Sequence, residues 1–347
     1  MKISMGFAAI ATLAVGASAA KWTKNGNNWE LSVATYKATV SPEKAGKVVG
    51  FQFGGTDVIN PGTDQGAFFW PAPQAKWNWP PPAAFNDNPY TPSFAADSAE
   101  LILTGPADAT TKLQVRKRFS FDADAGQFSI VYTTINTASD SGRHFAPWEI
   151  SRGSSGSLLF FPKGSSFKYV NPSGSGLAAD LPLDKEDSLG WYLDVAGKYT
   201  HNKFFRDGAE GWLAQLKGSL LFVKQYPDIA QDKFAPGESE VEIYTSGTFI
   251  ENEVLGPWTK IEPKDSLVWN VRWACATLPK SANVQPGSSD LKTAARSLVK
   301  PTGSSLVRRL GVPSALAGRV VDARGRLLPK SVRSLGNGSV QVAPIVR

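Results

Sequence analysis

The sequence predicts an all-β protein built as one large sandwich or barrel, and three observations carry that expectation. Strand-like runs recur between clusters of Gly, Pro, Asn and Asp throughout residues 21–280. No amphipathic helix of more than three turns is legible in that span. Within 241–245, Val241, Ile243 and Thr245 alternate with Glu242 and Tyr244, the period-two pattern of a strand with one buried and one wet face.

Taken in order, residues 1–20 read as a signal peptide. Lys2 is followed by a small-residue and apolar run over 6–15 and by Ala17-Ser18-Ala19-Ala20, which offers small-residue cleavage sites. The run is too short to span a bilayer. The mature chain is therefore expected to begin near Ala20 or Lys21 and to be exported, as a secreted, cell-surface or periplasmic protein. Strands are predicted over 29–40, 99–103, 113–121, 128–136, 157–161, 219–225, 240–245 and 267–277, all within one sandwich over 21–280. A linker is expected over 281–316, rich in Ser, Gly, Ala and Pro, with a short helix near 290–298. Residues 317–347 carry Gly318, Gly325 and the hairpin signal Asn337-Gly338, which predicts a small C-terminal β module. The single cysteine, Cys275, lies among apolar neighbours and reads as a core filler, so no intrachain disulfide forms.

Charge is unevenly distributed. Residues 21–280 hold 25 basic and 28 acidic residues, whereas 281–347 hold 11 and 2. Aromatics and excess positive charge thus lie in different regions, which argues against a nucleic-acid partner. No phosphate loop, dinucleotide fingerprint, Cys/His zinc spacing or nucleophile elbow occurs, so neither cofactor nor metal is expected.

Three segments carry candidate chemistry. Residues 68–90 place Trp70, Trp77 and Trp79 among six prolines, on what reads as a stiff irregular loop whose indole faces suit sugar rings. The competing reading is that these aromatics plug one end of the core. Residues 143–152 combine His144, Trp148, Glu149 and Arg152, with Glu149 and Arg152 spaced as an ion pair able to orient hydroxyls. In 249–257, Glu251 and Glu253 fall on one strand face, where a carboxylate pair can divide acid and base roles if one is desolvated.

Several motifs together resemble the galactose-mutarotase-like superfamily and, within it, the DUF4380 family. They are Phe69-Trp70-Pro71-Ala72-Pro73-Gln74 with Trp77-Asn78-Trp79-Pro80-Pro81, Asn136, and Ala146-Pro147-Trp148-Glu149-Ile150-Ser151-Arg152. Gly211-Trp212-Leu213 with Lys224, and Tyr244-Thr245 leading into 251–257, complete the set. The resemblance covers roughly residues 25–280. It implies a galactose-mutarotase-like β-supersandwich whose broad face binds carbohydrate. Mutarotases of the superfamily move a proton with two histidines and a carboxylate. The counterpart of one such histidine falls near Ala146, so His144 is displaced by two residues, about 6–7 Å along a strand. His201 has no clear motif around it. The segment 321–327 resembles the sorting tails of surface-exported bacterial proteins, which implies an export-machinery partner. The expected function is a carbohydrate-binding or carbohydrate-active protein, aldose-epimerase-like if an enzyme. Its catalytic candidates are Glu251, Glu253 and His144, and its substrate-binding candidates are Trp70, Trp77, Trp79, Trp148, Glu149 and Arg152. A non-catalytic structural or adhesion domain is the alternative.

Overall fold

The structure is a computed structural model that describes residues 20–95, 98–170, 182–183, 188–300 and 307–309. The expected signal peptide, the far part of the linker and the C-terminal module lie outside the described residues or nearly so. Where the structure is described, it is a layered antiparallel β protein.

One sheet runs, neighbour by neighbour, through Thr23–Asn25, Asn28–Val33, Tyr36–Ser41, Lys47–Phe53, Ala67–Ala72, Arg143–Ser154, Phe249–Leu255, Val241–Thr245 and Asn202–Gly208. The other runs through Thr91–Ala95, Glu100–Ala107, Leu113–Asp122, Gln127–Asn136, Ser266–Thr277, Leu220–Gln225 and Trp212–Lys217. The Leu158–Val170 strand joins the two. Leu158 to Phe160 pair with the second sheet, whereas Lys163 and Phe167 to Val170 pair with the first across a register shift.

Alternation explains the core. Phe69 stacks on Tyr132 across the space between the sheets, with ring centroids 4.5 Å apart. Phe51, Phe128, Phe222 and Trp273 fill that space with tilted and edge-on contacts. Cys275 is buried there, as its neighbours predicted. The second sheet is buried on its other face too. Leu158, Phe160, Trp191 and Trp212 form a separate apolar cluster there, alternating with Leu159, Phe161 and Tyr192 in the main core.

That second cluster is closed by the helix Ser289–Leu298. The Ser288 side chain caps it by accepting from the Asp290 amide at 3.0 Å. Leu291 and Ala295, one turn apart on one face, are fully buried in the cluster. Gln127 Nε2 donates to the Leu298 carbonyl at 2.8 Å, and Gln225 exchanges hydrogen bonds with the Lys300 backbone. The segment expected as a linker over 281–316 is therefore packed structure as far as Lys300, and within it Val307–Arg309 pairs with Leu267–Trp269 of the second sheet. Its low hydrophobicity hid this, because only Leu291 and Ala295 are fully buried, while Ala282, Val284, Ala294, Leu298 and Val299 pack partly exposed against the cluster. Leu291→Ala should cost about 2–5 kcal/mol by emptying a buried site. A chain ending at residue 280 should melt well below one ending at 300, and differential scanning calorimetry on the two checks this.

Candidate functional site

The outward face of the first sheet is set by register. Trp148 stands opposite Trp70 on one side and Leu255 on the other, and Arg152 stands opposite Glu251. Glu251 in turn faces Tyr244, and Glu253 faces Glu242; Tyr244 faces Lys203 on the Asn202–Gly208 strand. Because side chains alternate, Phe68, Trp70, Trp148, Ile150, Arg152, Glu251 and Glu253 share one face with Glu242, Tyr244 and Lys203.

Lys203 is the hub of this face. Its ammonium donates to Glu253 Oε1 and lies 2.9 Å from Glu242 Oε2, both carboxylates being fully buried. It also sits 5.2 Å from the centroid of the Trp148 ring and 5.6 Å from that of Phe205. Trp148 completes the arrangement by donating its indole N–H to Glu253 Oε2 at 2.7 Å. Next to it, Arg152 Nε donates to Glu251 Oε1 at 2.8 Å, Nη1 reaches the Asp64 carbonyl, and the guanidinium lies over the rings of Phe68 and Phe249.

Three carboxylates therefore share two cations in a nearly dry setting. Burial pushes Glu251 up to about 7, reinforced by the charge of Glu253 and opposed by Arg152 and Lys203. Burial raises Glu242 well above the usual carboxylate range, with Lys203 opposing. Burial also disfavours the charge on Lys203, but Glu242, Glu253 and Glu251 more than offset it and hold the ammonium protonated. Tyr244 is raised by burial and then by Glu251.

The expected carboxylate pair is thus present on one face, together with Arg152 and Trp148. The aromatic platform is different from its expectation. Trp70 lies within the Ala67–Ala72 strand rather than on a loop, and is 5% exposed. It is met edge-on by Trp77, Trp79 and Trp148 with centroids 5.9, 5.8 and 5.4 Å away. The Trp148 face is occupied by Lys203. Trp77 is half-buried and donates its indole N–H to the Pro71 carbonyl at 2.7 Å. Trp79 alone of the four offers a free face, at 65% exposure.

Two expected residues are elsewhere. Glu149 is one residue out of phase with Trp148, so it points between the sheets and is fully buried. There it lies 3.6 Å from Lys224 Nζ, which donates to the Asn252 carbonyl at 2.9 Å. Glu149 does not pair with Arg152; a spacing of three puts the two on opposite strand faces. Burial raises its pKa against the pull of Lys224, while burial lowers Lys224 to about 8 against the pull of Glu149. His144 is exposed at the far end of its strand, six positions or about 20 Å from Ile150, the residue opposite Glu253. Its ring packs on Trp258, 5.6 Å away, beside Lys76.

Sequence reasoning missed Lys203, Glu242, Tyr244 and His201. Glu242 was expected on a wet face and is instead sealed beneath Lys203. His201, just before the Asn202–Gly208 strand, bonds Tyr244 Oη through Nδ1 at 2.6 Å and is exposed. The usable signal was Glu242-x-Tyr244, a same-face pair on one strand, with Lys203 near the start of the strand beside it. A groove of about 350 Å³ lies elsewhere, over Thr39, Gln52 and Asp57; it has no aromatic lining and no buried charge.

Two predictions follow from these placements. Glu251 is raised above its unfolded value, so the stability it contributes is full below about pH 4.5 and is lost as pH rises through about 7. Melting temperatures of the wild type and Glu251→Gln between pH 4 and 8 check this, with the slope shallower in the variant. Glu149→Gln and Lys224→Met each leave one buried partner uncompensated and should cost about 3–5 kcal/mol in urea unfolding.

A family model described as a domain of unknown function, DUF4380, matches residues 70–276. No curated protein matches the sequence. Among solved structures, a candidate aldose 1-epimerase from Klebsiella pneumoniae superposes with a TM-score of 0.50 at 12% identity, over 80% of this chain and 85% of that one. A galactose mutarotase-like protein from Clostridium acetobutylicum gives 0.49 at 8% identity, over 75% and 98%. A TPR-domain containing protein from Parabacteroides distasonis gives 0.49 at 12%, over 75% of this chain and 49% of its own length, so the chain spans about half of that protein. At these identities the likeness is one of fold, and the fold is galactose mutarotase-like.

Proposed function

The chain belongs to the DUF4380 family, and on that premise we propose that it is an exported carbohydrate-binding protein with proton-transfer chemistry of the aldose-epimerase kind at Glu251. The observation that carries this reading is the convergence of Glu242, Glu251 and Glu253 on Lys203 and Arg152, on a sheet face walled by indoles. Glu251, poised near neutrality, can take the anomeric hydroxyl proton or give one to the ring oxygen as the C1–O5 bond breaks, and reverse this on ring closure. Glu253, fixed by Lys203 and the Trp148 N–H, stays in place as hydrogen-bonded scaffold. Arg152 and Lys203, partly accessible at 19% and 14%, supply donors to sugar hydroxyls. The epimerase-like fold of the structural neighbours supports the substrate class and does not fix the reaction.

The reading is tested by following anomer equilibration of several aldoses by NMR. Wild-type protein should exceed the buffer rate for at least one sugar, and Glu251→Gln should reduce that excess by about 10²–10⁴-fold, the usual worth of general acid–base catalysis. Rates equal to buffer for every sugar would remove the chemistry. Binding without chemistry is a second reading, and the position of His144 favours it. Neither histidine touches the carboxylates, and His201 approaches Glu251 only by way of Tyr244. Sugar-dependent tryptophan quenching with no rate enhancement would select it. Export rests on the pattern at Lys2, 6–15 and 17–20; N-terminal sequencing of the mature protein should begin near Ala20 or Lys21.

A further inference from the structure

On the carbohydrate reading above, we infer that the ligand is an oligosaccharide chain laid across the strands, from Trp79 at one edge of the face to His201 and Tyr244 at the other, rather than a free monosaccharide. The strand order across this face is Ala67–Ala72, Arg143–Ser154, Phe249–Leu255, Val241–Thr245, Asn202–Gly208. Four strand spacings separate its ends, about 19 Å of backbone. Trp79 leans on Trp70 over the first strand. Tyr244 lies on the fourth and His201 just before the fifth, bonded to each other and not sealed from solvent. One pyranose ring does not bridge that distance.

The floor between the ends is filled by its own ion cluster. The Trp148 ring is covered by Lys203, and Glu242 and Glu253 are fully buried beneath it. A small ligand on such a floor would bury little of its surface, which is poor ground for affinity. A chain of sugars would instead gather many weak contacts along it. Trp79 fits this role and no internal one: an indole left 65% exposed does little for the core, but it offers a stacking face for a sugar ring. At the other end, Lys203 and the His201–Tyr244 pair are polar groups open to solvent, and Arg152 adds one on the second strand.

The test is isothermal titration with mono- to hexasaccharide series of gluco, galacto, manno and xylo configuration. Affinity for the recognised series should rise at least tenfold from mono- to tetrasaccharide. Trp79→Ala and His201→Asn should each weaken the tetrasaccharide at least fivefold more than the monosaccharide. Asn suits the left-handed backbone at 201, where φ is 57°, and melting curves would verify that both variants fold. Binding with a length-independent affinity, or equal losses at every length in both variants, overturns the extended site and leaves the carbohydrate reading intact. Silence of the wild type toward every series overturns both.

Discussion

Lys203 holds two fully buried carboxylates, Glu242 and Glu253, on neighbouring strands, and almost everything on the outward face is arranged around that contact. Remove the ammonium and two desolvated carboxylates would face each other across one strand spacing, an arrangement tolerable only if protons were taken up. With it in place, Trp148 is pinned from both sides, by its N–H on Glu253 and by the cation over its ring. Trp70 then packs edge-on against Trp148, and the proline-rich segment carrying Trp77 and Trp79 packs against Trp70. A single ion thus connects the chemistry of one edge to the shape of the other.

A second set of buried charges lies on the opposite side of the same strands. Glu149 and Lys224 face each other between the sheets, where Ser151, Asn252 and Gln215 form a connected polar row. The two sets are kept apart by alternation alone. Neighbouring residues such as Trp148 and Glu149, or Asn252 and Glu253, serve different faces, so a slip of one residue in register would exchange outward groups for core groups.

Much of this was legible in the residues. Period-two alternation gave the strands and the shared face of Glu251 and Glu253, and the short helix near 290–298 was visible. The burial of Trp70 and Glu149 was not, because a run such as Pro147-Trp148-Glu149-Ile150-Ser151-Arg152 names its residues without saying which parity faces inward. His144 misled for a related reason: proximity along a strand is distance in space, about 3.3 Å for each residue. Lys203 and Glu242 were hidden because they come from strands far apart in sequence and meet only through the pairing of those two strands. Local spacing has no access to such pairings.

The helix Ser289–Leu298 occupies the outer surface of the second sheet, whereas the lysine-centred cluster occupies the outer surface of the first. Lys300 is fastened to Gln225 on the helix side, and Val307–Arg309 adds a strand beside Leu267–Trp269 of the second sheet. Force applied through Lys300 would therefore load the glutamine-bonded helix and the second sheet first, and reach the ion cluster on the opposite sheet last.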